Sequence, residues 1–139
     1  MDRAIEQLEW AIRLLVEHRA LAPAITLAGA AEEILGKSVP SKNAFTTIKE
    51  SLSAKGYGDS ARIGELMNIT RNYMKHESRG QHTLTPTELE AEAIQLITRA
   101  LINLVRLNRN LPSEARHFLD WVHKQRPELC TPDGAPVRS

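Results

Sequence analysis

Residues 85 to 110 constrain the fold of this chain more than any other stretch. Thr85-Pro86-Thr87-Glu88 reads as a helix start: a capping hydroxyl, a proline in the first turn where its missing N–H costs nothing, and a glutamate three residues after the cap. Beyond it Leu89, Ala93, Leu96, Ile97, Ala100, Leu101, Leu104 and Leu107 recur at helical spacing. Ile94, Ile102 and Val105 add apolar surface outside that stripe. A helix from about Pro86 to Asn110 with so broad an apolar face belongs at the centre of a bundle or against a second subunit.

The rest of the chain repeats the helical period and shows no strand alternation. A first helix is predicted over about Asp2 to Arg19, with Ile5, Leu8, Ile12, Leu15 and Val16 inward. Pro23 suits the first turn of a second helix, which carries Leu27, Ala28, Ala31, Ile34 and Leu35 inward and stops at Gly36. Pro40 and Ser41 open a shorter helix with Phe45, Ile48 and Leu52 inward. After the turn at Gly56 to Ser60, a fourth helix runs to about His76 with Ile63, Leu66, Met67, Thr70 and Met74 as its stripe. Pro112-Ser113 precedes a last helix to about Lys124, with Ala115, Phe118, Leu119 and Val122 inward. The reading is an all-α, antiparallel bundle of about five to six helices, with residues 1–126 as one domain. Residues 127–139, with three prolines and a glycine, are expected to form a flexible C-terminal tail.

Composition bounds what such a bundle does. No apolar run approaches the roughly 18 residues of a membrane span, and the charged N-terminus reads as helix, not as a secretion signal. Cys130 is the single cysteine, so no internal disulfide forms, and a cytoplasmic location is expected. The net charge of +1 supplies no strong overall field for nucleic acid. Locally the balance differs. Arg99, Arg106, Arg109, Arg116, Lys124 and Arg126 are opposed only by Glu114 and Asp120, so this stretch is either an RNA-facing surface or a solvated helix face.

One segment has the character of a chemical site: Arg71-Asn72-Tyr73-Met74-Lys75-His76. An arginine holds a phosphate through two parallel charge-assisted hydrogen bonds, and a histidine moves a proton near neutral pH. RNA carries its own nucleophile, the 2′-hydroxyl. Its cleavage therefore needs only proton transfer and charge stabilisation, with no metal. With Arg71 at zero on a helical wheel of about 100° per residue, Ile63, Met67, Thr70 and Met74 gather near −40 to −100°. Arg71 then stands on the seam between the apolar stripe and the polar face. His76 falls about 140° away. The pair meets only if the helix ends near Lys75 or if a second copy of the motif completes the site. The alternative is structural, with Arg71 paired to Glu65 or Glu77 and His76 favoured by the dipole at a helix C-terminus.

Arg71, Asn72 and His76, in the pattern Arg-x4-His with a polar residue after the arginine, resemble the HEPN superfamily of small all-α domains. Ala28 to Gly36 is also similar to the early helix of some bacterial members. The resemblance spans roughly residues 1 to 110. It implies a metal-independent endoribonuclease that needs no cofactor and acts as a homodimer with a composite site. Arg71 would hold the scissile phosphate, His76 would act as general base or acid, and Asn72 would orient the site. Lys75 and Arg79 are further RNA-binding candidates. Such a protein would serve as the toxin of a toxin–antitoxin or defence system, beside an antitoxin or nucleotidyltransferase partner. Where toxins of this kind carry a modifiable tyrosine two residues after the histidine, this chain has Ser78, which removes that mode of regulation. Non-catalytic members imply the other reading, a helical dimerisation or protein-interaction module. The histidines His18, His82, His117 and His123 are scattered, and no metal site is expected.

Overall fold

The structure, a computed structural model, describes residues 2–39, 62, 64–66, 68–69 and 85–130. The regular elements among them are helical: α1 (Asp2–Val16), α2 (Leu21–Ser38), α3 (Pro86–Arg106) and α4 (Glu114–Gln125), followed by a 3-10 turn at Pro127–Leu129. Residues 62, 64–66, 68 and 69 are helical as well. The chain is an all-α bundle, as the periodicity predicts. The short helix expected after Pro40 and the turn at Gly56 to Ser60 lie outside the described residues.

Local chemistry sets the ends of the elements. The α1–α2 hairpin turns at Arg19, whose φ of 51° lies in the left-handed region, and the Ala20 N–H donates to the Leu14 carbonyl at 2.9 Å. That turn ends α1 at Val16, before the expected Arg19, and lets α2 begin two residues ahead of Pro23. At the start of α3 the Glu88 N–H donates to Thr85 Oγ1 at 3.2 Å, and that hydroxyl donates to Glu88 Oε1 at 3.0 Å. The cap read from the sequence is therefore in place. The end of α3 is a Schellman motif. Asn108 adopts a φ of 61°, its N–H donates to Val105, and the Arg109 N–H donates to Leu104.

The core forms where these helices meet. α2 packs against α1 on one side and α3 on the other, and α4 packs against α1. Asn103 Nδ2 on α3 donates to the Glu32 carbonyl of α2 at 3.3 Å, and a Cβ on Gly29 would meet Leu96. These contacts, Gly29 with Leu96 and Glu32 with Asn103, make α2 and α3 run parallel, which the long intervening segment permits. Gly36 does not end its helix, which runs to Ser38; an added Cβ there would lie 3.4 Å from Asn103 Nδ2. Ala24, Ala28, Ala31 and Leu35 are the buried face of α2, while Ile34, expected inward, is 41% exposed. α2 is apolar nearly all round, and its alanines, not its larger side chains, allow the close approach of two neighbours.

Both apolar surfaces of α3 are buried within one chain. Ala93, Ile97, Ala100, Leu101 and Leu104 are in the core, and so are Ile94, Ile102 and Val105. The breadth of this helix marks it as the centre of the bundle. The chain also stays packed past Pro127, where the loose tail was expected to begin. Leu129 is 3% exposed, and Cys130 packs against the core. Residues 131–139 lie outside the described set.

Candidate functional site

Arg71, Asn72, Lys75, His76 and Arg79 lie outside the described residues, and their described helical neighbours are residues 62, 64–66, 68 and 69. Leu66 and Ile69 are fully buried. Leu66 belongs to the stripe expected for this segment; Ile69 does not. On the wheel used above they stand near −140° and +160°, so the core direction they mark lies at about −170°. The expected stripe centred near −70°. Leu66 is thus buried as expected and Ile69 adds a buried position outside the stripe, while Ile63, Met67, Thr70 and Met74 lie outside the described residues. Gly64 stands near +20° on the same wheel, and among the described residues a Cβ added there meets nothing within 4 Å.

Two polar contacts join this segment to the C-terminal end of the molecule. His123 Nε2 on α4 is 3.2 Å from Glu65 Oε1, and Asn68 Nδ2 donates to the Cys130 carbonyl at 3.5 Å. Glu65, one of the two acids weighed as an ion-pair partner for Arg71, therefore already faces a histidine. Sequence reasoning did not connect Glu65 with His123, because nothing local relates residues 58 positions apart.

Two charge clusters hold the described helices. Glu90, 8% exposed, receives Arg19 Nη2 at 2.7 Å and has Arg126 Nη1 at 3.8 Å, while Arg126 Nε donates to Glu128 at 2.7 Å. This cluster ties the α1–α2 turn to the start of α3 and the end of α4. A buried carboxylate at this site is tolerable because it is paired. In the second cluster Arg13 Nη2 lies 3.5 Å from Glu114 and 4.0 Å from Glu9, with its guanidinium 5.1 Å from the Trp10 ring centroid. Burial, a hydrogen bond with Glu114 and the charge of Glu114 push the Glu9 carboxyl above its ordinary value. Burial alone would also raise Glu114. Bonds from Ser113 and Glu9 and the charge of Arg13 outweigh it and hold that carboxyl low.

Neither cluster has the character of a reaction centre, since every member is engaged with an opposite or capping group. Burial and the nearby charges of Glu65 and Glu128 push the Cys130 thiol up to about 11, so it stays protonated and is no nucleophile at neutral pH. Among the described residues no group of three or more His, Cys, Asp or Glu side chains is placed to hold a metal ion. No helix among them is long and apolar enough to cross a membrane.

The basic stretch from Arg99 to Arg126 does not form one surface. Arg99 and Arg106 stand on α3, Arg109 pairs with Asp2 at 3.9 Å, and Arg126 joins the Glu90 cluster. Only the α4 residues Arg116 and Lys124 remain on a shared outward face. No family model, curated protein or solved structure matches the chain.

Proposed function

We propose that this chain is a HEPN-like, metal-independent endoribonuclease of the cytoplasm, acting as a homodimer in a toxin–antitoxin or defence setting. The observation that carries the reading is the Arg71-Asn72-x-x-x-His76 spacing in a chain whose described part is an all-α bundle. Arg71 holds the phosphate, His76 exchanges the proton of the 2′-hydroxyl, and Asn72 orients the pair. Lys75 and Arg79 add phosphate contacts. One feature of the described neighbours supports it. Glu65, an alternative partner for Arg71, is engaged by His123.

The homodimer rests on the angle between the two side chains. α3 spends its broad apolar face inside its own chain, so that face is no argument for a partner. The spacing is: one regular helix would set Arg71 and His76 about 140° apart, so unless the helix ends near Lys75 it takes a two-fold pairing of motifs to complete the site. The experiment is cleavage of a labelled RNA in EDTA by wild type, Arg71→Ala and His76→Ala. The reading expects cutting by wild type and a loss of about 100-fold or more in each variant, the scale of general acid–base catalysis. Equal cutting by both variants assigns any activity elsewhere. A chain that cuts nothing yet self-associates is the helical interaction module instead.

A further inference from the structure

α4 presents Arg116, His117, Asp120, His123 and Lys124 to solvent, and all five are exposed. At about 100° per residue they fall within a band of about 120°. Four of the described arginines elsewhere are committed to acids: Arg13 to Glu114, Arg19 to Glu90, Arg109 to Asp2, and Arg126 to Glu128 and Glu90. Among the described residues no acid lies within ion-pair distance of Arg116, His117 or Lys124. Asp120 is the only acid in the band, one turn from both Arg116 and Lys124. The two permanent cations are eight residues apart, about 12 Å along the axis. That separation lets the two cations meet different phosphates of one strand.

The position of the band matters as much as its charge. His123, at its edge, is 3.2 Å from Glu65, which precedes Arg71 by six residues. The cationic face thus borders the segment that leads into the candidate motif. We propose that this outward face of α4 is a docking surface for the phosphate backbone of single-stranded RNA, with Arg116 and Lys124 as its principal contacts. The inference rests on the reading of the chain as an RNA-acting protein and extends it to the place where substrate lies. Arg116 and Lys124 hold the strand and take no part in proton transfer.

The test is fluorescence anisotropy of a labelled single-stranded RNA with the full chain across a salt series, without divalent metal. The variants are Arg116→Ala/Lys124→Ala, Lys124→Ala, and Lys37→Ala on α2 as a charge-matched control for the single change. His76→Ala serves as the common background so that substrate stays intact. Each phosphate contact on a single strand adds about 0.7 to the slope of log affinity against log salt. The double variant is expected to flatten that slope by about 1.4 and Lys124→Ala by half as much. Lys37→Ala should leave it unchanged. Because all three side chains are exposed, the melting temperatures should stay at the parent value. A slope unchanged in the double variant, or flattened equally by Lys37→Ala, overturns the proposal, as does a parent chain that leaves the RNA free. Binding through α4 by a chain that cuts no RNA upholds the surface and sinks only the nuclease reading.

Discussion

Glu9 and Glu114 reach the same guanidinium from different helices, and this sets opposite demands on their protons. Arg13 Nη2 is nearer Glu114, at 3.5 Å against 4.0 Å for Glu9. Ser113 adds a hydrogen bond of 2.9 Å to Glu114 only. Glu114 therefore keeps its charge, and Glu9, partly buried beside it, is favoured in its protonated form, which can donate to Glu114. Because the Glu9 value is raised on folding, its contribution is complete below the ordinary carboxylate range and is lost as pH rises through the raised value. Glu114 behaves oppositely, contributing above the ordinary range and losing that contribution as pH falls through its lowered value. Glu9→Gln retains a donor for Glu114 and removes the charge. It should raise the melting temperature at pH 8 by up to about 4 °C, consistent with a gain of under about 1 kcal/mol for a partly exposed group. At pH 4 the gain should shrink toward zero. An equal shift at both pH values, followed by thermal circular dichroism, would remove the shared-proton account.

At the scale of elements, most helices are legible in the chain because each writes its period directly. α4 is the clearest case, since Ala115, Phe118, Leu119 and Val122 are the predicted and the observed buried face. The reading slipped where size and burial part company. Ile34 looks like a core residue by type, but Ala28, Ala31 and Leu35 take the inward positions of α2. Ile69, outside the expected stripe, is buried beside Leu66, which belongs to it. α3 ends at Arg106, four residues before the expected Asn110, because its stop is made by one backbone conformation. Asn108 occupies the left-handed region, which asparagine tolerates better than other side-chain-bearing residues. Asn108→Gly should hold stability within about 0.5 kcal/mol or improve it. Asn108→Val should cost about 1–2 kcal/mol, because its branched Cβ meets the following carbonyl. Urea midpoints for the three proteins check this ordering. A valine variant as stable as wild type would show that the left-handed cap contributes nothing.

The whole molecule is held by contacts between residues far apart in the chain, and these are what no local pattern announces. Glu90 stands on the long helix α3, and Arg19 and Arg126 converge on it from both sides. The candidate motif is legible only as a spacing, because its completion depends on where a helix ends and whether a second copy is present. The C-terminus shows the same limit from the other direction. Proline and glycine content predicts a loose tail from Pro127, but one leucine reverses that for the first few residues. Leu129 enters the core, and its neighbour Cys130 accepts a hydrogen bond from Asn68 in the segment that leads toward Arg71. Cys130 and His123 thus brace the helical segment at residues 65 and 68. Leu129→Ala should cost about 2–4 kcal/mol, the usual cost of emptying a buried leucine position. Truncation after Arg126 should cost at least as much, since it also removes the Asn68 acceptor and the Glu128 partner of Arg126. If cleavage resides where we place it, both changes should also lower RNA cutting at temperatures where the bundle remains folded. A truncated chain with the urea midpoint and the activity of the full one would return Pro127 to the role of a tail.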